Sequence, residues 1–182
     1  MNIVAVSGSL NHPSRTATLL TAFLGAIATR VDAETTLVNI ADHAALLGGV
    51  LNLKQAPETL AAAYRAVFAA DVLVIGSPIY KASYTGLLKH FFDLIDPREL
   101  QGKIAVLSAN GGSDQHALVI EHQLRPLAGF FGMYTAPTGL FARDDAFEKF
   151  ADGGGYNIVE QGLLARIDEV VEQTERLLRS GG

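Results

Sequence analysis

The chain has 182 residues, with 14 Lys and Arg against 19 Asp and Glu, a formal net charge of −5. It has no cysteine, which excludes disulfides, thiolate-ligated zinc, iron–sulfur clusters and a cysteine nucleophile. The negative charge argues against a general nucleic-acid-binding face, which needs cations against phosphates, but it allows a local phosphate pocket.

The length fits one domain, residues 1–182, with a sizeable core. Charged residues make up 18% of the chain, against about 25% in ordinary soluble domains. The shortage points to a generous core or to apolar surface covered by another subunit. No apolar run approaches the roughly 20 residues that span a bilayer, so no membrane segment is expected. Met1–Val6 lacks the basic flank of a signal peptide, and the expected location is the cytoplasm.

Asn2–Val6 is short, apolar and β-branched and stops at Ser7-Gly8-Ser9, the pattern of a buried strand. After Pro13-Ser14-Arg15-Thr16, Leu20, Phe23, Leu24, Ile27 and Val31 recur at helical spacing. Thr35–Ile40 predicts a second strand and Ala41–Ala56 an irregular connection. Pro57 opens a helix through Leu60, Tyr64, Val67 and Phe68, and Asp71–Gly76 predicts a third strand ending at Ser77-Pro78. Tyr84–Ile95 is helical, Lys103–Ser108 a fourth strand, His116–Phe131 a helix and Met133–Phe141 a fifth strand. A loop over Asp144–Gly155 and a helix over Ile158–Leu178 complete the chain. This alternation implies βαβ crossovers: a five-stranded parallel sheet with helices on both faces, a flavodoxin-like three-layer α/β sandwich of order 2-1-3-4-5.

In such a sheet, ligands bind outside the carboxyl ends of the strands. The loop after strand one carries Ser7, Ser9, Ser14, Arg15 and Thr16 and ends at a helix N-terminus, where free N–H groups, hydroxyls and one cation suit a phosphate. The loop after strand three, Pro78-Ile79-Tyr80-Lys81, offers an apolar and aromatic wall for a flat ring. The loop after strand four, Ala109-Asn110-Gly111-Gly112, lets backbone approach a ligand closely. Together these describe a flavin mononucleotide site. The nucleotide-triphosphate loop G-x-x-x-x-G-K-[ST] and the dinucleotide fingerprint G-x-G-x-x-G are absent, and Asp42 is a weak ribose-ligand candidate.

Ser7-Gly8-Ser9 with Ser14-Arg15-Thr16, Ser77-Pro78-Ile79-Tyr80-Lys81, Tyr84-Thr85-Gly86-Leu87-Leu88-Lys89 and Asn110-Gly111-Gly112 resemble the NAD(P)H-dependent FMN reductase family over nearly the whole chain. The resemblance is closest to reductases that supply reduced FMN to two-component alkanesulfonate or methanesulfonate monooxygenases, through the segment from His116 to Leu127. It implies that the first loop holds the FMN phosphate, that the Tyr80 loop lies along the isoalloxazine, and that Asn110, Gly111 and Gly112 meet its polar edge. Asn110 departs from the Thr common at that position. NADPH or NADH would pass a hydride from the nicotinamide C4 to the flavin N5, with no side chain required as nucleophile or acid. The alternatives are a quinone, azo or chromate reductase with firmly bound FMN, or a flavodoxin-like flavin carrier.

Pro126 lies inside a helical stretch and has no N–H for the His122 carbonyl, so a kink or a π-bulge is expected there. The resemblance to the two-component group implies that the residue inserted in that helix, frequently Tyr, falls at His122 here. Ile120, Leu124, Leu127 and Phe131 form one apolar stripe; Val119, Pro126 and Phe130, with His122 among them, form a second that is expected to meet another subunit in a homodimer or homotetramer. An insertion at that interface would weaken flavin retention. His12, His43, His90, His116 and His122 show no metal-ligand spacing, so no metal is expected. No G-x-S-x-G elbow surrounds any serine. Asp144 and Asp145 are expected in a solvated loop, Asp93 and Asp96 facing solvent or paired, and Arg166, Glu169, Glu172, Gln173 and Arg176 on the wet face of the last helix.

Overall fold

In the computed structural model, which describes residues 1–180, the apolar runs pair in parallel. β1 (Asn2–Ser7), β2 (Glu34–Asn39), β3 (Val72–Pro78) and β4 (Ile104–Gly111) lie in the order β2-β1-β3-β4. Alternate residues of the central strands are apolar on both sides because both sides are covered. Ile3, Ala5, Val72, Val74 and Val106 pack with α1 (Arg15–Ala28) and α6 (Gln161–Ser180). Val4, Val6, Leu73, Ile75 and Leu107 pack with α3 (Glu58–Phe68), α4 (Gly86–Asp93) and α5 (Arg125–Phe130). The expected flavodoxin-like sandwich and its strand order 2-1-3-4-5 are the observed ones.

The fifth position departs from a simple strand. It is split into β5 (Tyr134–Thr135) and β6 (Leu140–Arg143), both parallel to β4, so the sheet has six strand segments rather than five. Ile104 pairs with Tyr134, whereas Ser108 pairs with Leu140, a register advanced by two residues across the break. A shift of two preserves which face each side chain meets, where a shift of one would invert them. Pro137 lies in the gap, where a residue without an N–H costs no ladder bond. The carbonyls freed there are bound by Arg125, whose Nη1 donates to Ala136 O (3.2 Å) and Thr135 Oγ1 (2.8 Å) and whose Nη2 donates to Pro137 O (3.2 Å). From the other face Gln173 closes the gap, with Oε1 accepting from Thr138 N at 2.9 Å and Nε2 donating to Thr138 Oγ1 at 2.8 Å. Gln173 is thus a bulge clamp rather than part of a wet helix face.

The segment expected as one helix over His116–Phe131 is three pieces: a 3-10 turn at Asp114–His116, a π-turn at Ile120–Leu124, and α5. The Arg125 N–H donates to Ile120 O, five residues back, so the chain has taken up one extra residue immediately before Pro126. Ile120, Leu124, Leu127 and Phe131 face the sheet as expected. His122 and Pro126 are exposed, Phe130 is 72% exposed with Leu118 (61%) nearby in sequence, and Val119 is buried.

Two further stretches differ. Ile40–Leu47 (α2) is helical where an irregular connection was expected, because its Ala- and Leu-rich sequence favours helix although only Ile40 and Leu47 are buried. Asp144–Gly155 is not a bare loop: a 3-10 turn at Asp144–Ala146 leads into an antiparallel hairpin of β7 (Phe147–Lys149) and β8 (Tyr156–Ile158). Its turn uses Gly153 at φ +75 and Gly155, where a Cβ would lie 2.7 Å from the Phe150 ring. Ile158 therefore ends a strand, and the last helix begins at Gln161. Among the described residues no helix is long and apolar enough to cross a membrane.

The fit between the split fifth strand and the π-turn rests on Gly139, where a Cβ would lie 2.6 Å from Ile120 Cγ2, an atom held by a stiff β-branched side chain. Gly139→Ala is expected to lower stability by about 1–3 kcal/mol through overpacking. Gly129→Ala, in α5 with nothing within 4 Å of the new Cβ, is expected to raise it by up to about 1 kcal/mol. Urea midpoints of the two variants check the opposite signs.

Candidate functional site

The carboxyl ends of β1, β3 and β4 open onto one cleft of about 250 Å³. The first wall is the start of α1. Ser14 has extended backbone and caps the helix, its Oγ accepting from Ala17 N at 3.2 Å. No acidic residue stands in the first turn of α1, so the positive end of the helix is unopposed from within the helix. The backbone N–H groups of Arg15 and Thr16 find no acceptor among the described residues.

The second wall follows β3. Ser77 Oγ accepts from Thr85 N at 3.1 Å, and Thr85 Oγ1 donates to Gly8 O at 2.7 Å, tying the first loop to the start of α4. A Cβ at Gly8 would lie 2.9 Å from Leu88 Cδ2, so glycine is required for this approach. Tyr80 and Ser83 exchange backbone hydrogen bonds (2.8 and 3.2 Å) around Lys81 at φ +50 and Ala82 at φ +67. Two left-handed residues in a two-residue turn form the mirror-image geometry that normally takes Asn-Gly. The turn sets Tyr80 at the cleft mouth, 42% exposed, its hydroxyl accepting from Asn11 Nδ2 at 3.1 Å.

The third wall is the end of β4, which runs three residues beyond the expected Ser108 boundary, through Ala109, Asn110 and Gly111, because β6 pairs there. Asn110 is 5% exposed and its orientation is fixed: Oδ1 accepts from Thr16 Oγ1 at 2.6 Å, which turns Nδ2 toward Asp144 Oδ1 at 3.4 Å. The Asn110 carbonyl accepts from Ile79 N at 2.9 Å, joining the second and third walls.

Of the thirteen residues expected to bind a cofactor, Ser9, Ser14, Arg15 and Thr16 line the cleft, as do Pro78, Ile79 and Tyr80 and, opposite them, Asn110, Gly111 and Gly112. Ser7, Lys81 and Ala109 do not. Ser7 is fully buried beneath the cleft with its Oγ unpaired, Ala109 is buried in β4, and Lys81 is exposed on the Tyr80 turn. Asp42 also lies off the lining and pairs with His12 at 2.8 Å.

Four lining residues were missed: Asn11 and Pro13 within the first loop, and Asp144 and Tyr156 further along the chain. Asp144 opens the stretch expected as loop, and Tyr156 directly follows it. A fifth strand continued to Arg143 would have delivered Asp144 to the same carboxyl edge as Asn110. Tyr156 has no local signal; it arrives because the β7–β8 hairpin folds back toward α1. Its ring lies 4.9 Å from the Arg15 guanidinium carbon. Arg15 also stands 4.0 Å from Asp144 Oδ1, too far for a hydrogen bond, and its buried Nε has no partner. Among the described residues Arg15 thus keeps its donors free while its plane is held by an aromatic face. An orphaned buried guanidinium donor, unpaired helix N–H groups and two hydroxyls fit a phosphate ester, and the Ile79 and Tyr80 wall fits a flat ring beside it. No group of three or more His, Asp or Glu stands together among the described residues.

Ala82→Gly is expected to stabilise the protein by about 0.5–1 kcal/mol, because it removes a left-handed Cβ that costs about 1–2 kcal/mol and returns part of that as chain entropy; thermal midpoints check it. Tyr156→Leu should weaken a phosphate ester's binding about two- to fivefold, the scale of an exposed cation–π contact, read by titration of the ligand.

Residues 1–148 match the family described as NADPH-dependent FMN reductase. The chain is 43% identical over 173 residues to the NADH-dependent FMN reductase SfnF of Pseudomonas putida, covering 94% of this chain and 90% of that one. It is 41% identical to an FMN reductase (NADPH) of Pseudomonas aeruginosa, covering 96% and 91%. Among solved structures it is similar to the apo form of the NADH:FMN oxidoreductase EMOB, with a TM-score of 0.79 and 32% identity over 96% of this chain and 89% of that one. A flavodoxin from Bacillus cereus, 14% identical with a TM-score of 0.65, shares the fold.

Proposed function

We propose, for a chain that belongs to the NADPH-dependent FMN reductase family, that one domain binds FMN and a reduced nicotinamide together at the carboxyl edge of the sheet. It is an NAD(P)H-dependent FMN reductase. The observation that carries the assignment of the phosphate end is Arg15: a cation with free donors at a helix N-terminus, inside a cleft with a ring-sized apolar wall.

The chemistry that FMN supplies when bound is acceptance of a hydride from the reduced nicotinamide. The chain's own residues bind and orient. Arg15, Ser9, Ser14 and Thr16 take the phosphate end, with Ser7 beneath them. Pro78, Ile79 and Tyr80 flank the ring, with Lys81 on the same turn. Asn110, Gly111 and Gly112 form the polar edge, with Ala109 buried behind them in β4. No side chain is assigned a proton-transfer role, since holding two rings in register supplies the main advantage.

The exposed stripe of Leu118, His122, Pro126 and Phe130 supports association of copies of this chain as a homodimer or homotetramer. Reduced FMN would then pass to a flavin-dependent monooxygenase of the sulfonate-desulfonating type to which the sequence resemblance points. A cytoplasmic location belongs to the same proposal, because reduced nicotinamide is its co-substrate.

The test is anaerobic oxidation of NADH and of NADPH, with and without added FMN. Flavin-dependent oxidation is expected with at least one of them; none above the flavin-free control overturns the reading. Arg15→Gln is expected to raise the FMN dissociation constant about tenfold to a hundredfold, the range for a lost charge-assisted contact. Riboflavin, which lacks the phosphate, should change little.

A further inference from the structure

A cleft that retains a phosphate firmly gains from having no carboxylate beside its cation, since like charges within a few ångströms repel. This cleft has such a carboxylate. Asp144 places Oδ1 4.0 Å from Arg15 Nη1 and accepts from Asn110 Nδ2 at 3.4 Å, and Oδ2 lies 3.7 Å from where a Cβ on Gly112 would be. One carboxylate thus reaches three groups expected at the ligand. Neighbouring charges do not neutralise it by pairing: Arg143 is already bound by Asp145 (2.9 and 3.0 Å) and Asp114 (3.1 Å), and His12 is paired with Asp42. Arg15 and Asp144 are 38% and 42% exposed, so their interaction is a screened, easily exchanged contact and not a locked pair.

We propose that Asp144 is a competing anion built into the phosphate end of the cleft. It holds Arg15 when no phosphate is present and repels the phosphate when one is bound. It thereby sets FMN affinity low and release fast, making flavin an exchangeable substrate. The proposal rests on the reductase reading and deepens it: the residue decides whether flavin leaves. It takes part in no bond-making step, and Asn110 and Arg15 remain the groups that touch the ligand.

The test titrates FMN and riboflavin into wild type, Asp144→Asn and Asp145→Asn, following flavin fluorescence at low and high salt. Asparagine keeps the acceptor for Asn110 Nδ2 and removes only the charge. Asp145→Asn removes the same charge one residue away, from a side chain outside the cleft lining. Asp144→Asn is expected to tighten FMN about tenfold, with the gain shrinking at high salt, and to slow FMN release. Riboflavin affinity, and both affinities in Asp145→Asn, are expected to move less than about twofold. FMN binding that is unchanged or weaker in Asp144→Asn overturns the proposal and makes Asp144 a positioning residue for Arg15 and Asn110. Equal tightening of riboflavin also overturns it, since the effect would then lie at the ring. Inorganic phosphate, titrated calorimetrically into the same variants, reads the contrast without the ring. A wild type that binds FMN yet oxidises neither nicotinamide overturns the reductase reading alone, and the binding contrast still decides the role of Asp144.

Discussion

The buried hydrogen bond from Thr16 Oγ1 to Asn110 Oδ1, 2.6 Å long, joins the first turn of α1 to the last turn of pairing in β4. Both residues are nearly inaccessible, so neither can exchange this partner for water without a cost of about 1–3 kcal/mol. The bond decides which end of the Asn110 amide faces the cleft and holds the α1 N-terminus over the strand ends. Asn110 O in turn receives Ile79 N, and Thr85 donates to both Ser77 Oγ and Gly8 O, linking the second loop to the first. Three loops far apart in sequence therefore form one rigid rim, and the cleft is shaped before any ligand arrives. A site preorganised in this way spends less of its binding free energy on ordering itself.

The same edge depends on a compensation at the far side of the sheet. A π-turn takes up one extra residue in the chain that enters α5, and the strand that follows takes up two. Arg125 connects the two irregularities: its N–H closes the π-turn, and its guanidinium binds the carbonyls that the broken strand releases. Glu121 lies one turn earlier and pairs with that guanidinium at 2.5 and 2.8 Å, which holds its carboxyl below the usual range and orients the arginine for this task. Without the two-residue advance, β6 would end short of the cleft and Asp144 would not stand beside Asn110. An irregular helix on one face of the sheet thus helps to fix the composition of a site at its carboxyl edge.

The apolar runs made the sheet legible, because a parallel strand covered on both faces needs uninterrupted β-branched and aliphatic residues and little else does. The capped start of α1 was legible too, since Ser14 and Arg15 stand where a strand end meets a helix start, and both line the cleft. What escaped has a common cause. The π-turn could be inferred from Pro126, but the split of the fifth strand is driven by side chains from two distant helices, Arg125 and Gln173, and leaves no local period to read. Treating Met133–Phe141 as one strand ended the sheet too early, so Asp144 looked solvated. Tyr156 and its hairpin depend on Gly153 and Gly155 making a turn tight enough to bring a short strand back toward α1. Residue type marked those glycines as turn-forming, but not where the turn would point.

Tyr156 also shows how the cation is tuned. It lies beyond residues 1–148, the span shared with the family as a whole, yet it covers the one arginine that the first loop supplies. A guanidinium held against an aromatic face keeps its in-plane donors free, because the ring engages the plane and not its edge. Asp144 stands on that edge, at a distance where it attracts without hydrogen bonding. The ring therefore presents the arginine while the carboxylate competes for it. An acidic chain with a net charge of −5 does not need a basic surface to select a phosphate. It needs one cation oriented by a neutral partner, a helix end aimed at the same point, and enough opposing charge to keep the complex reversible.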